Sequence, residues 1–284
     1  MTMSTVKFKL IMLLVALMGF TSNAWAQIDA QPQGDTIEVK SDKMNRNIKC
    51  TVIVPEQYFD LDLQDEQYPV LYLLHGAWGS YRDWPTKANL DDLASDYSVI
   101  IVCPDGQDSW YLDSPIDPSF QFETFISKEL VRYIDMNYRT LRSPGYRAIT
   151  GLSMGGHGAL WVGLQHPEVF GSCGSMSGGV DITKFPNKWK IDQRLGKYED
   201  NKQAWADHAV INIVDKIKPG QNIIIDDGSE DFFYEVNLNL HKALLDRKIK
   251  HDFTIRPGGH TWDYWVNSLD YHMLFFAKAF DRAQ

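Results

Sequence analysis

The sequence predicts a doubly wound α/β fold, and three observations carry that expectation. First, the apolar runs PVLYLLHG, SVIIVCPDG, RAITGLS, VFGSCGSMSGG, NIIIDDGSED and DFTIRPGGH do not alternate, and each closes on or beside Gly or Asp. A half-exposed strand alternates apolar and polar residues, so runs of this kind read as strands buried on both faces of a parallel sheet. Second, helical patterns fall between them, at roughly residues 87–95, 120–136, 156–165, 232–247 and 263–280. Strand and helix in turn give a mostly parallel central sheet with helices on both faces. Third, DTIEVKSDKMNRNIKCTVIVP does alternate, which predicts an N-terminal antiparallel hairpin turning near Met44-Asn45-Arg46-Asn47.

The chain opens with Lys7 and Lys9, an apolar run from Leu10 to Phe20, and then Ala24-Trp25-Ala26. A basic start, a short apolar stretch and small residues around a cleavage point read as a secretory signal peptide, cut after Ala26. The run falls short of the about 20 apolar residues that span a bilayer, so a retained anchor is disfavoured and no stable membrane association is expected after cleavage. Cleavage leaves residues 27–284, 258 in all, as one catalytic domain of ordinary size, and takes the formal charge from −9 to −11. An acidic chain without Lys/Arg clusters argues against a nucleic-acid partner. Cys50, Cys103 and Cys173 lie in or beside apolar runs at no metal or redox spacing, and read as buried free thiols.

Residues 180–220 break the strand–helix rhythm. The stretch is long and polar, holds Trp189 and Trp205, and is punctuated by Pro186, Gly196 and Pro219. It reads as a lid-like insertion or as irregular packing around extra helices.

The chemistry centres on YRAITGLSMGGHGAL, residues 146–160. RAIT is a strand and GGHGAL opens a helix, so Gly151-Leu152-Ser153-Met154-Gly155 forms a strand–turn–helix junction of the G-x-S-x-G type. Such a turn forces the serine into a strained backbone conformation and lifts its hydroxyl above the sheet edge, where flanking side chains would clash. A serine hydroxyl attacks only when a base takes its proton and a third group orients that base. Of the downstream histidines, His260 alone follows a strand through a glycine-rich loop, on the carboxyl edge where ligands bind in parallel sheets. His157 sits on the serine's own helix and reads as packed, and His241, His251 and His272, in helical or strand-start patterns, read as surface or packed histidines. The acid comes from DDGSED: Asp231, directly before a helix, is favoured over Asp227, with Glu230 third and Asp226 assigned to the strand. Two amides should hold the oxyanion, Met154 after the serine and Ala77 in the loop HGAWGS. No metal or organic cofactor is implied.

With these residues in place the sequence resembles the putative-esterase family of α/β-hydrolases. The resemblance rests on TVIVPEQY, PVLYLLHGAWGSYRDW, VIIVCPDGQDSWY, FISKELVRYIDMNYR, GLSMGGHGAL, DDGSEDFFY and PGGHTWDYW, and spans residues 36–276. It implies the α/β-hydrolase fold, a Ser153–His260–Asp231 triad and an oxyanion hole from Ala77 and Met154. That family includes S-formylglutathione hydrolases, tributyrin esterases, and feruloyl and acetyl-xylan esterases. The leader disfavours the cytosolic branch. Trp78, Trp110, Tyr111, Trp262 and Tyr264 lie in loops expected to rim the site, where aromatic rings suit a sugar or a phenolic acyl group. The expected activity is therefore a periplasmic or secreted serine esterase acting on acetyl or hydroxycinnamoyl esters of plant polysaccharide fragments, or on small short-chain esters. The alternatives are an acyltransferase of the mycolyltransferase type and a non-catalytic carbohydrate-binding protein of the same fold.

Overall fold

The computed structural model describes residues 33–283, and the leader read at residues 1–26 lies outside them. In chain order the strands are β1 (Asp35–Ser41), β2 (Arg46–Ile53), β3 (Val70–Leu74), β4 (Ile100–Pro104), β5 (Arg147–Gly151), β6 (Ser172–Met176), β7 (Asn222–Gly228) and β8 (Asp252–Arg256). The α-helices are α1 (Asp83–Lys87), α2 (Leu90–Asp96), α3 (Phe122–Thr124), α4 (Val131–Asn137), α5 (Met154–Gln165), α6 (Asp192–Leu195), α7 (Lys202–Asp207), α8 (Tyr234–Asp246) and α9 (Trp262–Asp281). A wider π-helical stretch, Phe125–Leu130, joins α3 to α4.

All eight strands form one sheet in the order β1-β2-β4-β3-β5-β6-β7-β8. β1 pairs antiparallel with β2 and β2 with β4, and every later pairing is parallel. The hairpin and the six further strands all appear as expected, in an α/β-hydrolase sheet, but β8, expected to be buried on both faces, is half-buried because it forms the sheet edge. The expected helix over 87–95 is instead split, because Ala88 is extended between α1 and α2. Pro85 sits in the first turn of α1, where no backbone donor is needed, so DWPTK can be helical despite its proline.

Alternate residues of β3 feed two different cores. Val70, Tyr72 and Leu74 pack with Val102, Ile149 and Cys173 on one face, under α5 and α8. Leu71 and Leu73 pack with Ile101 and Ala148 on the other, under α1, α2 and α9. Each such Leu, Ile or Val contributes about 1.5–3 kcal/mol on burial, which is why the parallel strands read as unbroken apolar runs. The three cysteines are free and buried within these layers.

Helix α5 is buried from Met154 through Leu164 and is apolar all round. Sheet covers one side of it; on the other the Trp161 indole donates to Glu123 at 2.7 Å, and His157 Nε2 meets the His208 carbonyl at 2.9 Å. Residues 180–220 meet α5 at His208, whose ring stacks on Trp161, and add Val180, Ile182, Ile191, Leu195, Trp205 and Val210 to the same core. Among the described residues no helix is long and apolar enough to cross a membrane.

Candidate active site

β5 ends at Gly151 and α5 starts at Met154, so the turn between them has only Leu152 and Ser153. Ser153 takes φ 56° and ψ −116°, a left-handed conformation that costs a non-glycine residue about 1–3 kcal/mol. The backbone holds it there from both sides: Ser153 N donates to Met176 O at 2.9 Å, and Ser153 O accepts from His157 N at 3.0 Å. The neighbouring glycines are required by space. A Cβ on Gly155 would stand 2.5 Å from Leu74 O and 2.6 Å from His75 O, and one on Gly151 would stand 2.6 Å from Leu74 O.

His260 follows β8 through Pro257-Gly258-Gly259, and Asp231 follows β7 in the adjacent loop. The loops brace each other, with Glu230 N donating to Gly258 O at 2.9 Å. The result is one hydrogen-bonded chain: Ser153 Oγ to His260 Nε2 at 2.9 Å, and His260 Nδ1 to Asp231 Oδ2 at 2.8 Å. Asp231 Oδ1 also accepts from Phe233 N at 2.8 Å, which fixes the carboxylate. With Nδ1–H donated to Asp231, Nε2 is free to accept the serine proton.

The other carboxylates of the loop are used elsewhere. Asp227 still lies in β7, where it accepts from Gly228 N at 2.8 Å and Asn237 Nδ2 at 2.7 Å. Burial and the neighbouring Asp231 carboxylate push its pKa up to about 8. Asp226 pairs with Arg256 and accepts from Ser268 Oγ at 2.8 Å, and Glu230 is exposed.

Beside the serine runs the 75–79 loop. A Cβ on Gly76 would lie 3.4 Å from Ser153 Cβ, so this backbone passes in van der Waals reach of the nucleophile turn. The amides of Ala77 and Met154 have no hydrogen-bond partner among the described residues. His75 fixes the loop: its Nε2 accepts from Gly106 N at 2.8 Å, so Nδ1 carries the proton donated to Gly76 O at 2.7 Å. A hydroxyl, an imidazole, a carboxylate and two unused donors can together perform acyl transfer.

Residues 41–276 match the family described as "Putative esterase". The chain belongs to this family. It is thereby a carboxylic ester hydrolase. A curated acetyl esterase from Caldicellulosiruptor saccharolyticus is 29% identical over 224 residues, covering 74% of this chain and 84% of that protein. A solved ferulic acid esterase aligns with TM-score 0.75 at 26% identity, over 87% of this chain and 97% of the other. A ferulic acid esterase from Anaeromyces mucronatus shares the fold, with TM-score 0.67 at 21% identity over 89% of this chain and 92% of the other.

The esterase surrounds His260 with aromatic rings that sequence reading passed over. Phe232 lies 4.3 Å from the imidazole centroid and Trp265 4.7 Å from it at 90°. Trp189, from the 180–220 segment, stacks on Phe232 at 5.8 Å and 19°. The signal for Phe232 was present in the sequence, since it directly follows Asp231. Of the five aromatics expected at the rim, Trp78 is 70% exposed and Trp262 half-buried, whereas Trp110, Tyr111 and Tyr264 are closed off at 1%, 0% and 5%. These three correct the expectation, because they pack the esterase's loops together and present no ring face. Trp110 donates to Trp189 O at 3.1 Å and Tyr111 to His75 O at 3.2 Å. Tyr264 closes over Gly258, whose added Cβ would meet its ring at 2.7 Å.

Among the described residues no group of three or more His, Cys, Asp or Glu is arranged to hold a metal. His241 and His251 meet at 2.8 Å but form only a pair.

Proposed function

We propose that the protein is an exported serine esterase that removes acetyl or hydroxycinnamoyl groups from plant polysaccharide fragments through an acyl-enzyme. His260 takes the Ser153 proton as Oγ attacks the ester carbonyl, and Asp231 stabilises the imidazolium that results. The Ala77 and Met154 amides receive the oxyanion. The imidazolium then returns its proton to the departing alkoxide, and water, activated by the same imidazole, releases the acid. The observation that carries this reading is the continuous Ser153–His260–Asp231 chain in a member of an esterase family.

The substrate class is supported by where the aromatics lie. The imidazole hands its proton to the leaving alcohol, so the alcohol must sit beside His260. There Phe232, 52% exposed and stacked on Trp189, offers a flat apolar surface of the kind that sugar rings cover. The relatives named for acetyl and ferulic acid esters agree with that class. Export rests on the Lys7–Ala26 leader.

An ester panel with matched acyl groups on sugar and simple alcohols tests the reading. Acetyl and feruloyl sugar esters are expected to turn over with higher kcat/KM than the matching ethyl esters. Phe232→Ala should narrow that gap about tenfold while leaving p-nitrophenyl acetate within a few fold, the scale of one lost aromatic contact. Equal kcat/KM for sugar and ethyl esters would overturn the substrate assignment.

A further inference from the structure

A cavity of about 810 Å³ lies at the amino ends of β7 and β8, with Asn222 and Asp252 in its wall. Asp231 and His260 follow the carboxyl ends of those same strands. β7 has seven residues, so at about 3.3 Å per residue the cavity and the serine stand on opposite edges of the sheet, about 20 Å apart.

The wall of the cavity is cationic in an acidic molecule. Lys218, Arg247, Lys248, Lys250, Lys278 and Arg282 line it, against the carboxylates of Asp215 and Asp252. Six cations over two anions stand on a chain of formal charge −9. Only Arg247 is neutralised locally, through Asp215 at 2.5 Å. Among the described residues the four lysines and Arg282 make no ion pair, although the chain has more acidic than basic residues to supply partners. Ile223, Ile249 and Phe275 give the recess an apolar side as well. At Gly220 the lip takes φ 97°, with no atom within 4 Å of an added Cβ, so the mouth is open.

We propose that this cavity is a second binding site, for a carboxylate-bearing oligosaccharide of the uronic acid type. The site would hold the polysaccharide while the distant serine works on its esters, and in naming this ligand the inference rests on the function proposed above. The volume is that of a ligand pocket for a molecule larger than a single small ion. Several ammonium groups around a recess match several carboxylates spaced along one chain, and the apolar wall matches the C–H faces of sugar rings. A bilayer is flat and would leave the recess itself unfilled. Single-stranded nucleic acid would require open ring faces for its bases, and the lining offers only half-buried Phe275 and a His251 imidazole already packed edge-on against His241. A second grip on the same chain raises the local concentration of esters at the serine without any new contact there.

Titration calorimetry of the full protein with oligogalacturonate tests this, since that ligand carries no ester and its binding does not depend on turnover. Binding is expected at low ionic strength, weaker at high salt, and absent with neutral xylo-oligosaccharide. Lys248→Ala/Lys250→Ala/Lys278→Ala should weaken it by about tenfold or more, with p-nitrophenyl acetate turnover unchanged as the check on folding. Lys250→Glu alone, at an exposed position, should weaken it in the same direction. Undiminished affinity in both variants would overturn the proposal. So would anionic vesicles or inorganic phosphate binding where oligogalacturonate does not. If the protein binds uronates but hydrolyses no sugar ester, the second site stands and the proposed function fails; the reverse result removes only the second site.

Discussion

Ser153 pays for its place at the head of the helix with a backbone that only its neighbours can hold, at φ 56° and ψ −116°. The carboxylate behind its histidine is the residue-scale feature most open to test, since two candidates lie four positions apart. Asp231 touches His260 Nδ1, whereas Asp227 serves Gly228 and Asn237 and is a neutral acid at pH 7. A neutral group offers an imidazolium no charge stabilisation. Asp231→Asn is therefore expected to lower kcat by about 10³–10⁴-fold, as loss of the orienting acid does in serine hydrolases. Asp227→Asn should leave kcat within a few fold, and equal losses in the two variants would contradict the assignment. These residues were legible in the sequence because each follows a strand end and its chemistry needs a loop. The burial of Trp110 and Tyr111 was not. It depends on a loop that curls inward through positive φ at Gln107, Trp110 and Tyr111, which no local pattern announces.

Among the elements, α5 shows how close packing sets the site. Alanine is normally the better helix former than glycine, by about 1 kcal/mol. At Gly155, however, the added methyl meets two carbonyl oxygens at 2.5 and 2.6 Å, and those belong to β3 and the 75–79 loop. Overpacking costs about 1–3 kcal/mol and here acts on backbone that cannot rotate away. Gly155→Ala should therefore lower unfolding free energy by about 1–2 kcal/mol and also reduce turnover, by moving the loop that bears Ala77; denaturant unfolding and kcat measured on one sample check both. A more stable variant would mean that the helix preference wins. All eight strands and the long helices were readable from pattern: alternation marks the hairpin, and burial on two faces leaves unbroken apolar runs in the central strands. The 180–220 segment was not, because its short helices and 3₁₀ turns are too brief to show a period. What it contributes near the site, Trp189 against Phe232, is a long-range contact.

The whole molecule carries opposing titrations in its interior. Burial lowers His157 to about 4 and His272 to about 3, from an ordinary 6.5. As pH falls below 6.5 the unfolded chain gains protons that the folded one refuses, so stability is lost toward acid. Asp227 acts the other way: raised to about 8 from 3.8, it stays protonated in the fold while the unfolded chain ionises, so stability falls as pH rises toward 8. Two histidines outweigh one aspartate below 6.5; above it the aspartate acts together with His166, which its hydrogen bond to Glu123 raises, and both lose stability as pH rises. The melting temperature should accordingly peak near pH 6.5, and Asp227→Asn should make the alkaline side shallower and the acid side steeper. A profile still rising from pH 7 to 8 would contradict this.

The same scale holds the central claim, that loops after β5, β7 and β8 bring one reactive hydroxyl to the sheet edge. Intact-protein and peptide mass spectrometry after treatment with an alkyl fluorophosphonate tests it most directly. The account predicts a single adduct on Ser153, absent in Ser153→Ala and slowed by several orders of magnitude in His260→Gln. An adduct on another residue, or labelling of Ser153 that is as fast without His260, would contradict it.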